Sequence, residues 1–398
     1  MQPPLAAAPR PPLWSLAVLA AALAALAAFG VLGLGRAGGL ASSNFDMRYL
    51  HLAGQMWSAG DSPYDGAAFT ALAVERFGLE AGAFAYPPQS APLAMALGAL
   101  DFRGAQWLMT ALNLAALGAL AWLALKLAPA LAPPSRAHSA TRAVTLAILL
   151  GNPFASHVVW MGQTSLLAAA AALGAWRCAR VNSMAWSGVL LGLATLKPQL
   201  ASLMVLWFLL ERRWLALAIG AATAAACALW PMLSVGFEAT WLGWRGALDQ
   251  YQRDSVAATG FRHVFGLRST LYGLGVDTTL FAWTAPLAVF ALHRVRSRLA
   301  PDDPAPLLFA IGALALYAHD YDLAASVVLC APLAERALGR VPLQLGLLVL
   351  AGVLFFPQRI WQRFELGELA RTREVALLAL AATHVVLALR ARSSADRS

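Results

Sequence analysis

Residues 13–35 read LWSLAVLAAALAALAAFGVLGLG, a stretch without a single charge that follows Arg10. A helix needs about 20 apolar residues to cross a hydrocarbon layer of ~30 Å, so the stretch has the length of a membrane span. It exceeds a signal-peptide core and is read as a retained first span. Outward from it the same character continues: 60% of the 398 residues are hydrophobic and 12% are charged. Soluble domains carry about 25% charged residues, so this much apolar surface requires the bilayer as its solvent. Lipid leaves no water for unpaired backbone groups, which restricts spanning structures to helices and closed barrels. No segment alternates with the period of two that a barrel strand needs. The predicted fold class is therefore all-α, a polytopic transmembrane helical bundle with about ten to twelve hydrophobic segments.

The later apolar runs are 91–100, 107–127, 144–159, 165–176, 184–210, 214–229, 280–292, 307–317, 323–333, 341–356 and 375–389. Arginines mark many of their ends, as at Arg136 and Arg142, Arg177 and Arg180, Arg212 and Arg213, and Arg390 and Arg392. The positive-inside rule places such clusters in the cytoplasm and accounts for the net charge of +9 without a nucleic-acid partner. With those clusters inside, 184–210 becomes a hairpin of two short helices broken at Lys197-Pro198, because proline lacks an amide donor and restricts its predecessor. Lys197 then falls on the outer side, and 91–100 is too short to cross and reads as a bent or half-membrane element.

The chain divides into a disordered N-terminus (1–12), one transmembrane domain (13–392) and a cytoplasmic tail (393–398). Residues 36–85 form a long outer first loop, and 231–276 a second outer loop. In the first, Leu50, Ala53, Met56 and Trp57, then Phe69, Leu72, Ala73 and Phe77, recur at helical spacing, which predicts two short amphipathic helices lying on the membrane surface. Cys178, Cys227 and Cys330 show neither pairing nor metal-ligand spacing and read as small apolar residues.

Ionisable residues at membrane depth are costly and commonly mark a site. Asp46, in SSNFDMRY (42–49), follows the first span by about ten residues, where a carboxylate at the water boundary can act as general base on a sugar hydroxyl. An exposed helix cap or an ion pair with Arg48 explains it equally well. Tyr64 and Tyr86 stand in proline-fixed loop segments and suit the interface. Gln163 opens a span with an amide able to bind a sugar or phosphate oxygen, or to join two helices. Lys197 before Pro198-Gln199 puts an ammonium beside a helix N-terminus, which favours a phosphate; snorkelling to the interface is the plainer alternative. His319, Asp320 and Asp322 interrupt two apolar runs, where they can ligate a divalent cation, bind sugar hydroxyls or form a solvated turn.

These landmarks resemble glycosyltransferase family 87, the polyprenol-linked mannosyl- and arabinosyltransferase-like proteins of the GT-C superfamily. Asp46 with Tyr49, GDSPY (60–64), YPP (86–88), Gly162-Gln163, Gly188 through Gly192 to Lys197-Pro198, and HDYD (319–322) run in the expected order. Thr164 stands where asparagine is usual, and Asp46 lacks an adjacent acidic partner. The resemblance implies a GT-C-like fold and transfer of mannose or arabinose from a polyprenyl-phosphate donor to an envelope glycan or glycolipid acceptor. It further implies a bacterial plasma membrane with the site on the periplasmic or exterior face, and membrane lipids as surroundings. Under it Asp46 is the catalytic base, Lys197 holds the donor phosphate, and Arg48, Tyr64, Tyr86, Gln163, Gln199, His319, Asp320 and Asp322 bind substrate. A divalent cation is left open, and no P-loop or Rossmann glycine pattern calls for a nucleotide cofactor. A transporter or flippase for a lipid-linked saccharide is the competing reading; it expects inverted repeats and short loops, which the sequence lacks.

Overall fold

The computed structural model describes residues 10–33, 44–78, 82–129, 135–253, 264–276, 278, 281, 283–356 and 371–395. Five of its helical stretches are long and apolar enough to cross a membrane. They are α1 (Leu13–Ala25) with its π-helical continuation to Val31, α5 (Phe102–Leu127), the pair α6 (Arg136–Gly151) and α7 (Pro153–Met161), α11 (Trp214–Ser234) and α19 (Thr372–Ala395). The chain is thus an all-α polytopic membrane protein. Shorter apolar helices complete the bundle: α9 (Met184–Ala194), α10 (Pro198–Leu210), α15 (Pro304–Ala315) and α18 (Val341–Phe355); α13 (Leu267–Gly273) and α14 (Thr284–Arg294) precede α15 in the chain. At 1.5 Å per residue the four apolar ones reach only about 17–23 Å, short of the ~30 Å hydrocarbon layer, so their ends leave polar turns within the bundle's depth.

Local sequence sets the boundaries. Asp101 caps α5 by accepting the Gly104 amide at 2.8 Å, and Ser135 caps α6 from the His138 amide at 3.1 Å. The run 144–159, expected as one span, is interrupted at Asn152-Pro153. Pro153 has no N–H, and the Asn152 side chain serves both helices, accepting from Ala155 at 2.8 Å and donating to Leu149 O at 2.9 Å. The hairpin 184–210 breaks where expected, between Ala194 and Pro198, with Lys197 at the N-cap position of α10. Close approach of α9 to α11 depends on glycine: a Cβ on Gly188 or Gly192 would stand 2.6 Å from the carbonyl oxygens of Ala216 and Gly220.

The first loop departs from expectation. Helices α2 (Phe45–Ala59) and α3 (Gly66–Phe77) do form there, but α2 does not lie on a surface. Met47, Leu50, Leu52, Ala53, Met56 and Trp57 are all buried, against Phe69 of α3, against Ala94 and Leu97 of α4 (Ala91–Gly98), and against Met109 of α5. Periodicity exposed an apolar face, and protein rather than lipid covers it. At the start of the second loop α11 runs on through Pro231 to Ser234. The loop then contains the amphipathic α12 (Phe237–Arg253) and a strand, β1 (Val264–Phe265), pairing antiparallel with β2 (Ala318–His319). At the C-terminus α19 continues as helix to Ala395.

The main core joins α5, α7, α10, α15, α19 and two further elements, α8 (Ser165–Arg180) and the segment 323–337, containing α16 (Leu323–Ser326) and α17 (Cys330–Ala337). Outside it, Leu13, Trp14, Trp107, Trp186, Trp214 and Leu233 present apolar side chains to the surroundings, as lipid-facing positions do. Helix α8 measures the depth of the bundle: Ser165 opens it and Arg180 closes it, about 24 Å away. At the Arg180 end Asp302 meets Arg180 at 3.4 Å, and buried Asp303 pairs with Arg336 at 2.5 Å. At the Ser165 end a second polar cluster lies between the first loop and the start of α10.

Candidate active site

The cluster is built from four turns that interrupt apolar helices. Helix α7 ends at Gly162, whose φ of +66° suits the left-handed conformation only glycine adopts freely. A Cβ there would lie 2.5 Å from the Met47 Cβ, so glycine also lets the linker 162–164 press against the start of α2. That contact brings Gln163 to Asp46, which occupies the first turn of α2, and the Gln163 amide Nε2 donates to the Asp46 carboxylate. The Gln163 Oε1 accepts from the Tyr86 hydroxyl at 2.9 Å and from Lys197 Nζ at 3.3 Å.

Lys197 is buried and saturated. Its ammonium donates to Ser165 Oγ and meets Asp322 Oδ1, both at 2.6 Å, besides Gln163, and it lies 4.4 Å from the ring centre of Tyr321. Ser165 Oγ in turn donates to Asp322 Oδ1 at 2.7 Å, and the His319 amide donates to Asp322 Oδ2 at 3.0 Å. An ammonium has three donors and a carboxylate several acceptor positions; here they are matched, which is what makes a buried charge pair tolerable. The His319 ring stacks on Tyr321 at 5.1 Å, and its Nε2 shares hydrogens with the hydroxyls of Tyr251 at 2.8 Å and Tyr317 at 3.0 Å. Tyr251 comes from α12, so α12 is fastened to the same turn that β1 pairs with.

Asp46 sits at the edge of this cluster and remains partly exposed. Desolvation pushes its carboxyl up to about 6, against the lowering pulls of the Gln163 hydrogen bond and of Lys197. Burial likewise raises the hydroxyls of Tyr86 and Tyr251 far above the ordinary range, so they act as neutral donors.

Of the residues singled out in the sequence, Asp46, Tyr86, Gln163, Lys197, His319 and Asp322 converge. Asp320 is nearby but engaged with Arg373 of α19 at 3.2 Å. Tyr64 supports the cluster from behind, donating to the Tyr86 carbonyl at 2.9 Å. Arg48 points elsewhere: two residues on from Asp46 it takes the other side of α2, with its guanidinium 5.3 and 5.7 Å from the rings of Phe77 and Phe102. Gln199, half-buried on the first turn of α10, takes no part in the cluster's hydrogen bonds among the described residues. Sequence reading missed Ser165, Tyr251, Tyr317 and Arg373. Ser165 followed Gln163 by two positions at a helix start, a signal indistinguishable from an ordinary cap.

A divalent cation does not fit this donor set. Asp322 is matched by Lys197, Asp320 by Arg373, and the His319 Nε2 by two phenols, and among the described residues no group of three His, Cys, Asp or Glu side chains converges on a metal-sized point.

Residues 84–397 match the model of glycosyltransferase family 87. The chain belongs to glycosyltransferase family 87. It is thus a GT-C-like membrane glycosyltransferase, and the matched residues include Tyr86, Gln163, Ser165, Lys197 and the 319–322 turn. Asp46 lies ahead of the matched region and meets it through its contact with Gln163. No curated protein matches the chain.

Proposed function

We propose that this family 87 glycosyltransferase moves a sugar, mannose or arabinose, from a polyprenyl-phosphate donor to an envelope glycan or glycolipid. The reaction is placed on the outer face of a bacterial plasma membrane, and Asp46 is its general base. The observation that carries the reading is one partly exposed carboxylate, raised to about 6, at the rim of a buried polar cluster within an apolar bundle. A base is most effective when its pKa lies near the working pH, and a value near 6 leaves Asp46 mostly ionised at neutrality yet basic enough to accept a proton. The acceptor hydroxyl gives its proton to Asp46 while its oxygen forms the new bond to the anomeric carbon. The bond from that carbon to the phosphate oxygen breaks, and its electron pair leaves with the polyprenyl phosphate.

A lipid-linked donor accords with the placement: its chain needs an apolar surface, and the short helices α9 and α10 bring Lys197 to a polar turn beside such a surface. Lys197 is assigned the donor phosphate. Of its three hydrogen-bond contacts, that to Gln163 at 3.3 Å is the longest, so a phosphate oxygen can share the ammonium on that side while Tyr86 and Asp46 keep Gln163 in place.

The test is transfer of labelled sugar by the purified protein from synthetic polyprenyl-phosphate mannose or arabinose to a membrane extract. Asp46→Asn is expected to lose about 10²–10⁴-fold. For the wild type, kcat/KM is expected to fall about tenfold per pH unit below about 6, because the ionised base is lost as pH drops through that value. Undiminished transfer by Asp46→Asn would reject Asp46 as the base.

A further inference from the structure

We infer that Gln163 is a positioning residue that aims at Asp46 and favours its ionised form, rather than a ligand for the sugar. The argument starts from which groups can only give and which can only take. The Lys197 ammonium has donors and no acceptor, and an ionised carboxylate has acceptors and no donor. Gln163 stands between the two, with Oε1 3.3 Å from Lys197 Nζ and Nε2 on Asp46. Flipping the amide would set NH2 against the ammonium and a carbonyl oxygen against the carboxylate, so the two flanking charges fix its orientation. The Tyr86 hydroxyl, donating to the same Oε1 at 2.9 Å, reinforces it, and the Thr164 amide approaches Oε1 at 3.4 Å. Both polar atoms of Gln163 are therefore already employed inside the protein.

The chain of contacts runs further back. Lys197 is itself held by Ser165 and Asp322, and Asp322 by the His319 amide, so the charge behind Gln163 is anchored on two helix starts and a turn. Gly162 and Met47 fix the backbone on the near side. The groups that face Asp46 from the surrounding elements are Gln163, Lys197, Asp322, Tyr86, Tyr251 and Tyr321. Within this set the Gln163 hydrogen bond is first among the influences favouring the carboxylate, ahead of Lys197, while Asp322 opposes.

The catalytic consequence rests on the reading of Asp46 as base, whereas the titration of Asp46 does not. The experiment therefore follows the Asp46 carboxyl by pH-difference infrared spectroscopy, its band identified by loss in Asp46→Asn, alongside the pH profile of transfer. In Gln163→Leu the donor is gone, and in Gln163→Glu its place is taken by a carboxylate oxygen while acceptors for Tyr86 and Lys197 persist. Both should raise the Asp46 midpoint by about one unit or more, and kcat near pH 6 should fall about fivefold or more with the donor KM little changed. Gln163→Glu keeps the volume and the Lys197 contact, so it guards against a variant that fails to fold. An unmoved midpoint with a raised KM would overturn the inference and make Gln163 a substrate ligand. A midpoint that moves while the pH profile of transfer stays in place would uphold the positioning role and refute Asp46 as the base.

Discussion

Lys197 and Asp322 form a buried pair, their side chains 8% and 0% exposed and their charges 2.6 Å apart, and this predicts a non-additive response to mutation. Lys197→Met removes the cation but leaves Asp322 ionised in the bundle, with only Ser165 and the His319 amide as partners among the described residues. Breaking a buried pair on one side costs about 3–5 kcal/mol, since an uncompensated charge remains. Asp322→Asn strands the ammonium in the same way and should cost a similar amount. Removing both charges relieves the burial penalty as well as the attraction, and replacing such pairs by uncharged groups is neutral to favourable. The double variant is therefore expected to be more stable than either single variant. Unfolding in detergent, followed through the intrinsic fluorescence of the 14 tryptophans, measures all four proteins on one scale. A double variant that loses the sum of the two single losses would show that the charges do not depend on each other.

At the opposite end, Asp303→Ala should destabilise by about 3–5 kcal/mol by leaving the buried Arg336 guanidinium without its 2.5 Å partner, with the donor KM of the remaining folded enzyme unchanged. Gly162→Ala should cost about 1–2 kcal/mol from backbone strain alone, more from the Met47 contact, and should cut transfer because Gln163 moves with it; melting and activity are read together. In a protein lacking Cys178, Cys227 and Cys330, a cysteine replacing Ser62 should react with an impermeant thiol reagent on intact cells and one replacing Ser139 should not. The reverse labelling would place the Asp46 cluster in the cytoplasm.

The residues that carry charge into apolar surroundings were legible because lipid makes them conspicuous. Lys197 before Pro198 and the HDYD turn each interrupt a hydrophobic run, and the helix ends found there follow from proline and from unsatisfied backbone groups. Asp46 was legible as a residue but not as a contact, since its partner Gln163 lies 117 positions away. Ser165 and Tyr251 were not legible: serine at a helix start and tyrosine on an amphipathic helix each have a commonplace explanation, and only packing turns them toward Lys197 and His319. Arg48 misled in the opposite sense. Its nearness to Asp46 in sequence suggested a shared site, while a separation of two residues puts them on different sides of α2. The surface placement of α2 failed for a related reason, because an apolar stripe does not record whether lipid or protein will cover it.

The most direct test of the central claim is the stoichiometry of the lipid product. Purified protein in proteoliposomes is given polyprenyl-phosphate mannose or arabinose carrying label in both lipid and sugar, together with a membrane extract as acceptor. One polyprenyl phosphate released for each sugar transferred, with both lost in Asp46→Asn, is the expected result. A donor that stays intact while a nucleotide-linked sugar is consumed, or that crosses the bilayer uncleaved, would contradict it.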